Sequence, residues 1–117
     1  LNVKTIVTHA FCFSDVEIDY YVKMADLGAY IELCSTNSGA MSMALGDGHT
    51  LHQAMDLIEA VGTDRCVISS DAGQPFNPDP HESMKYYAQS LHEFGVDEDD
   101  LMTMMVENPR KILNVTD

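Results

Sequence analysis

Basic residues are scarce: six Lys and Arg stand against 19 Asp and Glu, a formal net charge of −13 in a chain of 117 residues. A surface of that sign repels phosphate backbones, so no nucleic-acid partner is expected. It attracts metal cations, while solubility or adaptation to a salty environment explains the same excess. No run approaches the ~18 apolar residues of a membrane span, and no membrane partner is expected. The opening LNVKTIVTHAF has a short apolar stretch, an early His and no small-residue cleavage pattern, so it does not read as a secretory signal. The expected location is cytoplasmic. Only three cysteines occur, Cys12, Cys34 and Cys66, far apart and without a CxxC pair. An odd, scattered set points to reduced and mostly buried thiols rather than a disulfide framework. Neither GxGxxG nor GxxxxGK[ST] occurs, so no glycine-rich phosphate loop is expected.

What is present suits one compact domain. Hydrophobic residues make up 45% of the chain, enough to bury a core. The hydrophobic period switches repeatedly between strand and helix. Lys4–Thr8 is β-branched and apolar, as expected of a parallel strand buried on both faces. Asp15–Leu27 reads as a helix with Val16, Tyr20, Met24 and Leu27 on its apolar face. Ser14 is its N-cap, Glu17 completes a capping box, and Gly28 is the stop. A second strand follows at Ala29–Cys34, then a small-residue loop over Ser35–Gly48 and a helix over Thr50–Val61. The third strand, Arg65–Ser70, runs into Asp71 and the proline-rich PFNPDP. Three helices close the chain: His81–Phe94, one N-capped by Asp97 and running to about Val106, and a restart at Pro109–Leu113 with Asn108 as N-cap. The order β-α-β-α-β-α-α-α predicts an α/β fold with parallel βα units.

In such folds the working residues sit where strands end. His9 follows the first strand, Glu32 lies near the end of the second, and Asp71 follows the third. His9 has a structural alternative, a backbone-bonded strand-end histidine, and Asp71 has another, a turn aspartate. Together on one rim they match what a divalent zinc, manganese or iron site takes, with Asp71 also able to act as general base. Glu32 reads either as a ligand or substrate contact, or as half of a structural ion pair. His49 and His52 read as surface residues ahead of metal ligands, and His92 as solvent-facing. His81, after the PFNPDP loop, is within reach of the active face. Cys34 reads as small and buried, and the eight methionines as core filling.

VTHAF after one strand, IELC on the next, SSDAGQ on the third and the closing NPRKIL resemble the C-terminal half of metal-dependent hydrolases of the amidohydrolase superfamily. The likeness is greatest to amidohydrolase-like barrels whose closing helices read Gly-Val-x-x-(acidic)-Leu and then Asn-Pro-x-x-Leu-Leu. Here the same places hold Gly95-Val96-Asp97-Glu98-Asp99-Asp100-Leu101 and Asn108-Pro109-Arg110-Lys111-Ile112-Leu113. The resemblance implies a TIM-barrel-like fold over residues 1–117 as one partial domain, with zinc foremost as the metal. It implies His9 as a ligand, and Asp71 as ligand and proton shuttle for water attacking an amide, ester or phosphoester bond. Gln74, His81 and Glu32 are then candidate contacts to a small-molecule substrate. The superfamily's first-strand His-x-His has no counterpart here, since no HxH occurs. Three strands cannot close a barrel of eight, so the remainder is expected from an N-terminal half of the same protein or from further copies in a homo-oligomer. A non-catalytic half-barrel binding module and a decarboxylase-type lyase are the alternative functions.

Overall fold

The computed structural model describes residues 3–12, 16–38 and 48–115. Three parallel strands, β1 (Ile6–Val7), β2 (Tyr30–Cys34) and β3 (Cys66–Ser69), form a sheet in the order β1-β2-β3. The register pairs Val7 with Ile31, Leu33 with Ile68, and Cys34 with Ser69. The connections carry α1 (Ile18–Asp26) and α2 (Leu51–Val61), and α3 (Pro80–Glu93) follows β3. The predicted α/β class and parallel pairing are therefore present.

Side-chain alternation along the strands sorts the sheet into two faces. Ile31, Leu33, Cys66 and Ile68 point to the helices and form the core with Tyr21, Ala25, Ala54, Leu57, Leu91 and Met104. The other face carries Thr8, Glu32, Cys34 and Ser69 toward the C-terminal ends of the strands. β1 is an edge strand, and its environment differs from the expected two-sided burial: Ile6 is 41% exposed and only Val7 is half-buried. Lys4 Nζ ties this edge to the chain's end by donating to Lys111 O and Asn114 Oδ1.

α1 begins at Ile18, with Glu17 in the cap position and no side-chain cap bond. Ser14, the expected N-cap, lies outside the described residues. The buried face is Tyr21 and Ala25, with Ile18 and Met24 against the core, while Tyr20 and Leu27 are exposed. Of the expected apolar face, Val16 and Met24 do pack against the core, whereas Tyr21 takes the place expected of Tyr20, because the two are equally apolar by type. Only Tyr21 has a polar partner inside, its hydroxyl accepting from Phe11 N at 2.8 Å. Gly28 closes the helix as expected, at φ +98°, with Gly28 N bonded to Ala25 O and Ala29 N to Met24 O. A Cβ there would meet nothing within 4 Å. Gly28→Ala should therefore show the backbone cost alone, about 1 kcal/mol by urea unfolding.

α2 starts with a full capping box. Thr50 Oγ1 accepts from Gln53 N at 3.1 Å, and Gln53 Oε1 accepts from Thr50 N at 2.8 Å. Asp79 caps α3, with Pro80 in the first turn. Asp97 caps α4 (Glu98–Met102) as predicted, accepting from Asp100 N at 2.8 Å.

The expected break before Pro109 is absent. α4 passes through one π-helical segment, Thr103–Glu107, directly into α5 (Asn108–Leu113). In a regular α-helix Pro109 would lack its N–H bond and press its ring on the carbonyl of residue 105. The wider π turn, in which Asn108 N–H reaches back to Thr103 O, relieves both. Asn108 is consequently helical and is not an N-cap. Its side chain is fully buried and donates from Nδ2 to Thr63 O and to Cys66 O, each at 2.8 Å. Among the described residues no helix is long and apolar enough to cross a membrane.

Candidate functional site

β1 and β3 flank β2, so residues that follow them stand about two strand spacings apart, roughly 9.6 Å. His9 and Asp71 lean toward each other across the end of β2, bringing His9 Nε2 within 3.9 Å of Asp71 Oδ2. That is too long for a direct hydrogen bond and leaves room for a bridging atom. Both side chains are about two-fifths exposed, at 39% and 41%.

Both residues adopt the left-handed conformation, His9 at φ +45° and Asp71 at φ +50°. Non-glycine residues pay a conformational penalty there unless their surroundings fix them. The surroundings do. Ala10 N bonds Glu32 O at 2.9 Å, and Cys12 N bonds His9 O at 2.8 Å. Past β3, Thr36 N and Ser35 Oγ both donate to Ser70 O at 3.2 Å, and Thr36 Oγ1 donates to Asp71 O at 3.4 Å. The residues after β2 thus hold the turn that presents Asp71.

Beneath this pair the polar sheet face holds Cys34 and then Glu32. Cys34 is 1% exposed, with Sγ 3.5 Å from Ser69 Oγ. Burial, reinforced by the nearby Glu32 and Asp71 carboxylates, pushes its thiol up to about 11. It therefore stays a neutral thiol at pH 7, which suits the packing role expected of it. Glu32 is half-buried and accepts from Thr8 Oγ1, in place of the ion pair considered for it. Among the described residues, no three His, Cys, Asp or Glu side chains converge closely enough to hold a metal ion.

The remaining expected contacts, Gln74 and His81, meet near neighbours in sequence. Gln74 Oε1 accepts from Asn77 Nδ2 on the exposed loop. His81 opens α3 in the open, its side chain 78% exposed and 3.5 Å from Glu82 Oε1. His52 lies edge-on to Phe94, and His92 Nδ1 is 2.9 Å from Val96 O. Met41 and Met43 fall outside the described residues. Met104 is core as expected, while Met102 is 53% exposed.

His49 corrects the sequence reading. It is not a surface residue of the helix but sits just ahead of the Thr50 cap, fully buried, with Nε2 2.7 Å from the Tyr87 hydroxyl. Burial lowers its pKa to about 4, so it is neutral at pH 7. Nδ1 has no hydrogen-bond partner among the described residues.

Sequence reasoning also missed a cavity of about 230 Å³, one of whose lining residues, Thr36, bonds the Asp71 carbonyl. The turn Ser35–Ser38 forms one wall and α3 the other, bridged at the buried end by Ser35 Oγ and Ser83 Oγ, 2.7 Å apart. A signal was available: Ser83, Tyr87 and Ser90 place hydroxyls at i, i+4 and i+7, the inward stripe of a helix. A scan against protein-family models, a search of curated proteins and a search of solved structures each found no match. The amidohydrolase likeness accordingly rests on the motifs quoted above.

Proposed function

We propose that His9 and Asp71 form part of the metal-binding rim of an amidohydrolase-type hydrolase, in which activated water attacks an amide, ester or phosphoester bond. One observation carries the reading. Two residues of metal-ligating type, both held at positive φ on the C-terminal rim of a parallel sheet, stop 3.9 Å short of each other. Zinc bonds of about 2.0–2.2 Å set at a tetrahedral angle would place such ligand atoms roughly 3.3 Å apart. Half-exposed side chains can close that difference by a small rotamer adjustment. The pair supplies two ligands, and further ones would come from outside the described residues.

When bound, a divalent ion brings the pKa of a coordinated water toward ~7. Asp71 would take that water's proton on a carboxylate oxygen. The His9 imidazole would be the second ligand, and the Cys34 thiol below the pair adds no charge. The edge strand favours a completing partner on the same grounds. Ile6 and Val3, 41% and 71% exposed, leave β1 open on its outer side, where a second copy or another segment of the protein would pair.

The test is hydrolysis of a panel of nitrophenyl esters and lactones by protein reconstituted with zinc or manganese. Metal-dependent turnover lost in both His9→Ala and Asp71→Ala is expected. Equal rates in the wild type and both variants would contradict the proposal.

A further inference from the structure

We infer that the cavity between the Ser35–Ser38 turn and α3 binds a small, uncharged, polyhydroxylated molecule. This rests on the hydrolase reading and names the polyol part of an ester or amide substrate for it.

The lining of the cavity is unlike the rest of this protein. In a chain with 19 Asp and Glu, no acidic and no basic side chain among the described residues lines it. Its polar atoms are the hydroxyls of five Ser and Thr residues and two Tyr, with the amide of Asn77. A carboxylate or phosphate would find no Arg or Lys to hold it in a charge-assisted bond. A full cation would be desolvated there without a counter-charge from any described residue.

Three of the hydroxyls have their protons committed to backbone carbonyls. Ser38 Oγ donates to Ser35 O at 2.8 Å, Ser90 Oγ to Tyr86 O at 2.8 Å, and Thr36 Oγ1 to Asp71 O at 3.4 Å. These three oxygens therefore face a ligand as acceptors, while the Tyr86 hydroxyl and the Asn77 amide can also donate. Such a wall favours a neutral guest that both donates and accepts, as a polyol does. The Tyr86 ring, Leu51 and Pro78 supply the apolar surface on which the C–H face of such a molecule can lie. The volume of about 230 Å³ suits a single ring-sized polyol rather than an oligomer.

The cavity is tied to the rim chemically. Thr36 lines it and also holds the backbone of Asp71. A ligand in the cavity would therefore lie beside the Asp71 turn.

The experiment is an amide NMR titration of the full chain with myo-inositol and methyl galactoside, set against gluconate and choline as anionic and cationic counterparts. The neutral probes should shift the amides of Ser83, Tyr86 and Ser90 at tens of millimolar or below, and the charged ones should not. Tyr86 is 59% exposed, so Tyr86→Ala should fold normally and weaken the neutral probes by about tenfold. Binding of gluconate or choline as tight as that of the neutral probes would overturn the inference. So would the absence of any shift with the neutral pair, or an unchanged affinity in Tyr86→Ala. Asp71→Asn separates the two claims. It keeps the backbone carbonyl that Thr36 uses, so polyol binding should persist while metal binding is lost. Metal binding without polyol binding would overturn only the cavity assignment, and the converse only the hydrolase reading.

Discussion

Asn108→Ala should lower stability by about 3 kcal/mol, seen as a drop in the urea midpoint with an unchanged slope. Asn108 Nδ2 donates at 2.8 Å to both Thr63 O and Cys66 O, and the residue is fully buried. Removing the amide takes a donor from the buried Cys66 carbonyl and from the half-buried Thr63 carbonyl, and leaves a cavity. The Thr63 carbonyl keeps its bond from Cys66 N, so the cost is about 1–3 kcal/mol for the buried carbonyl alone. These carbonyls belong to the turn leading into β3, so the side chain pins the closing helix to the strand that ends at Asp71. Asn108→Asp is the sharper comparison. It keeps the volume but replaces a two-proton donor with oxygens facing oxygens, so its loss should at least equal that of Ala. The rim lies at the opposite end of β3, and the folded variant should bind metal as the wild type does. A loss below about 0.5 kcal/mol in both variants would show that the two bonds contribute little.

The second large effect is a pH dependence. His49 is lowered to about 4 in the folded protein, against about 6.5 for an unfolded histidine. Between those values the unfolded chain binds a proton at this residue and the folded protein does not. Stability contributed by neutral, buried His49 is therefore complete above pH ~6.5 and is lost progressively as pH falls toward ~4. The gap corresponds to a loss on the order of 3 kcal/mol across the window. The surroundings offer the imidazolium little, since Phe11 and Tyr87 pack against the ring and Nε2 meets a hydroxyl. The carboxylates titrate near the lower end as well, so the difference between wild type and His49→Gln isolates this group. The variant's curve of unfolding free energy against pH should be flatter between pH 6.5 and 4. Parallel curves would place the titration elsewhere.

The order of elements was legible because each βα unit carries its own local signals. Gly28, Gly62 and Gly95 mark helix ends, and Asp97 marks a start. Burial was harder to read. YY at 20–21 offers the same side chain to either face of α1, and only the partner of Tyr21, Phe11 N, decides between them. KTIVT looked buried on both sides because β-branching reports strand preference and does not report which neighbours arrive. Asn-Pro at 108–109 has the chemistry of a helix start, yet two carbonyls far back in the sequence claim the Asn side chain and the helix runs on.

The site divides the same way. His9 and Asp71 were found from their places after strands, and the sheet order brings them together. Their shared left-handed backbone was not read, although His and Asp are among the few residue types that tolerate it. His49 was misplaced because its environment comes from Phe11 and Tyr87, residues distant in sequence. The hydroxyl cavity went unread because serines on a helix ordinarily face water, and only the pairing of Ser83 with Ser35 turns that stripe inward.

The most direct test of the paired rim is cobalt(II) titration followed by visible absorbance and competition with zinc. The account predicts a ligand-field band in the wild type that zinc displaces, and its loss in both His9→Ala and Asp71→Asn with folding intact by circular dichroism. A band of undiminished intensity in both variants would place the metal elsewhere and contradict the assignment of His9 and Asp71.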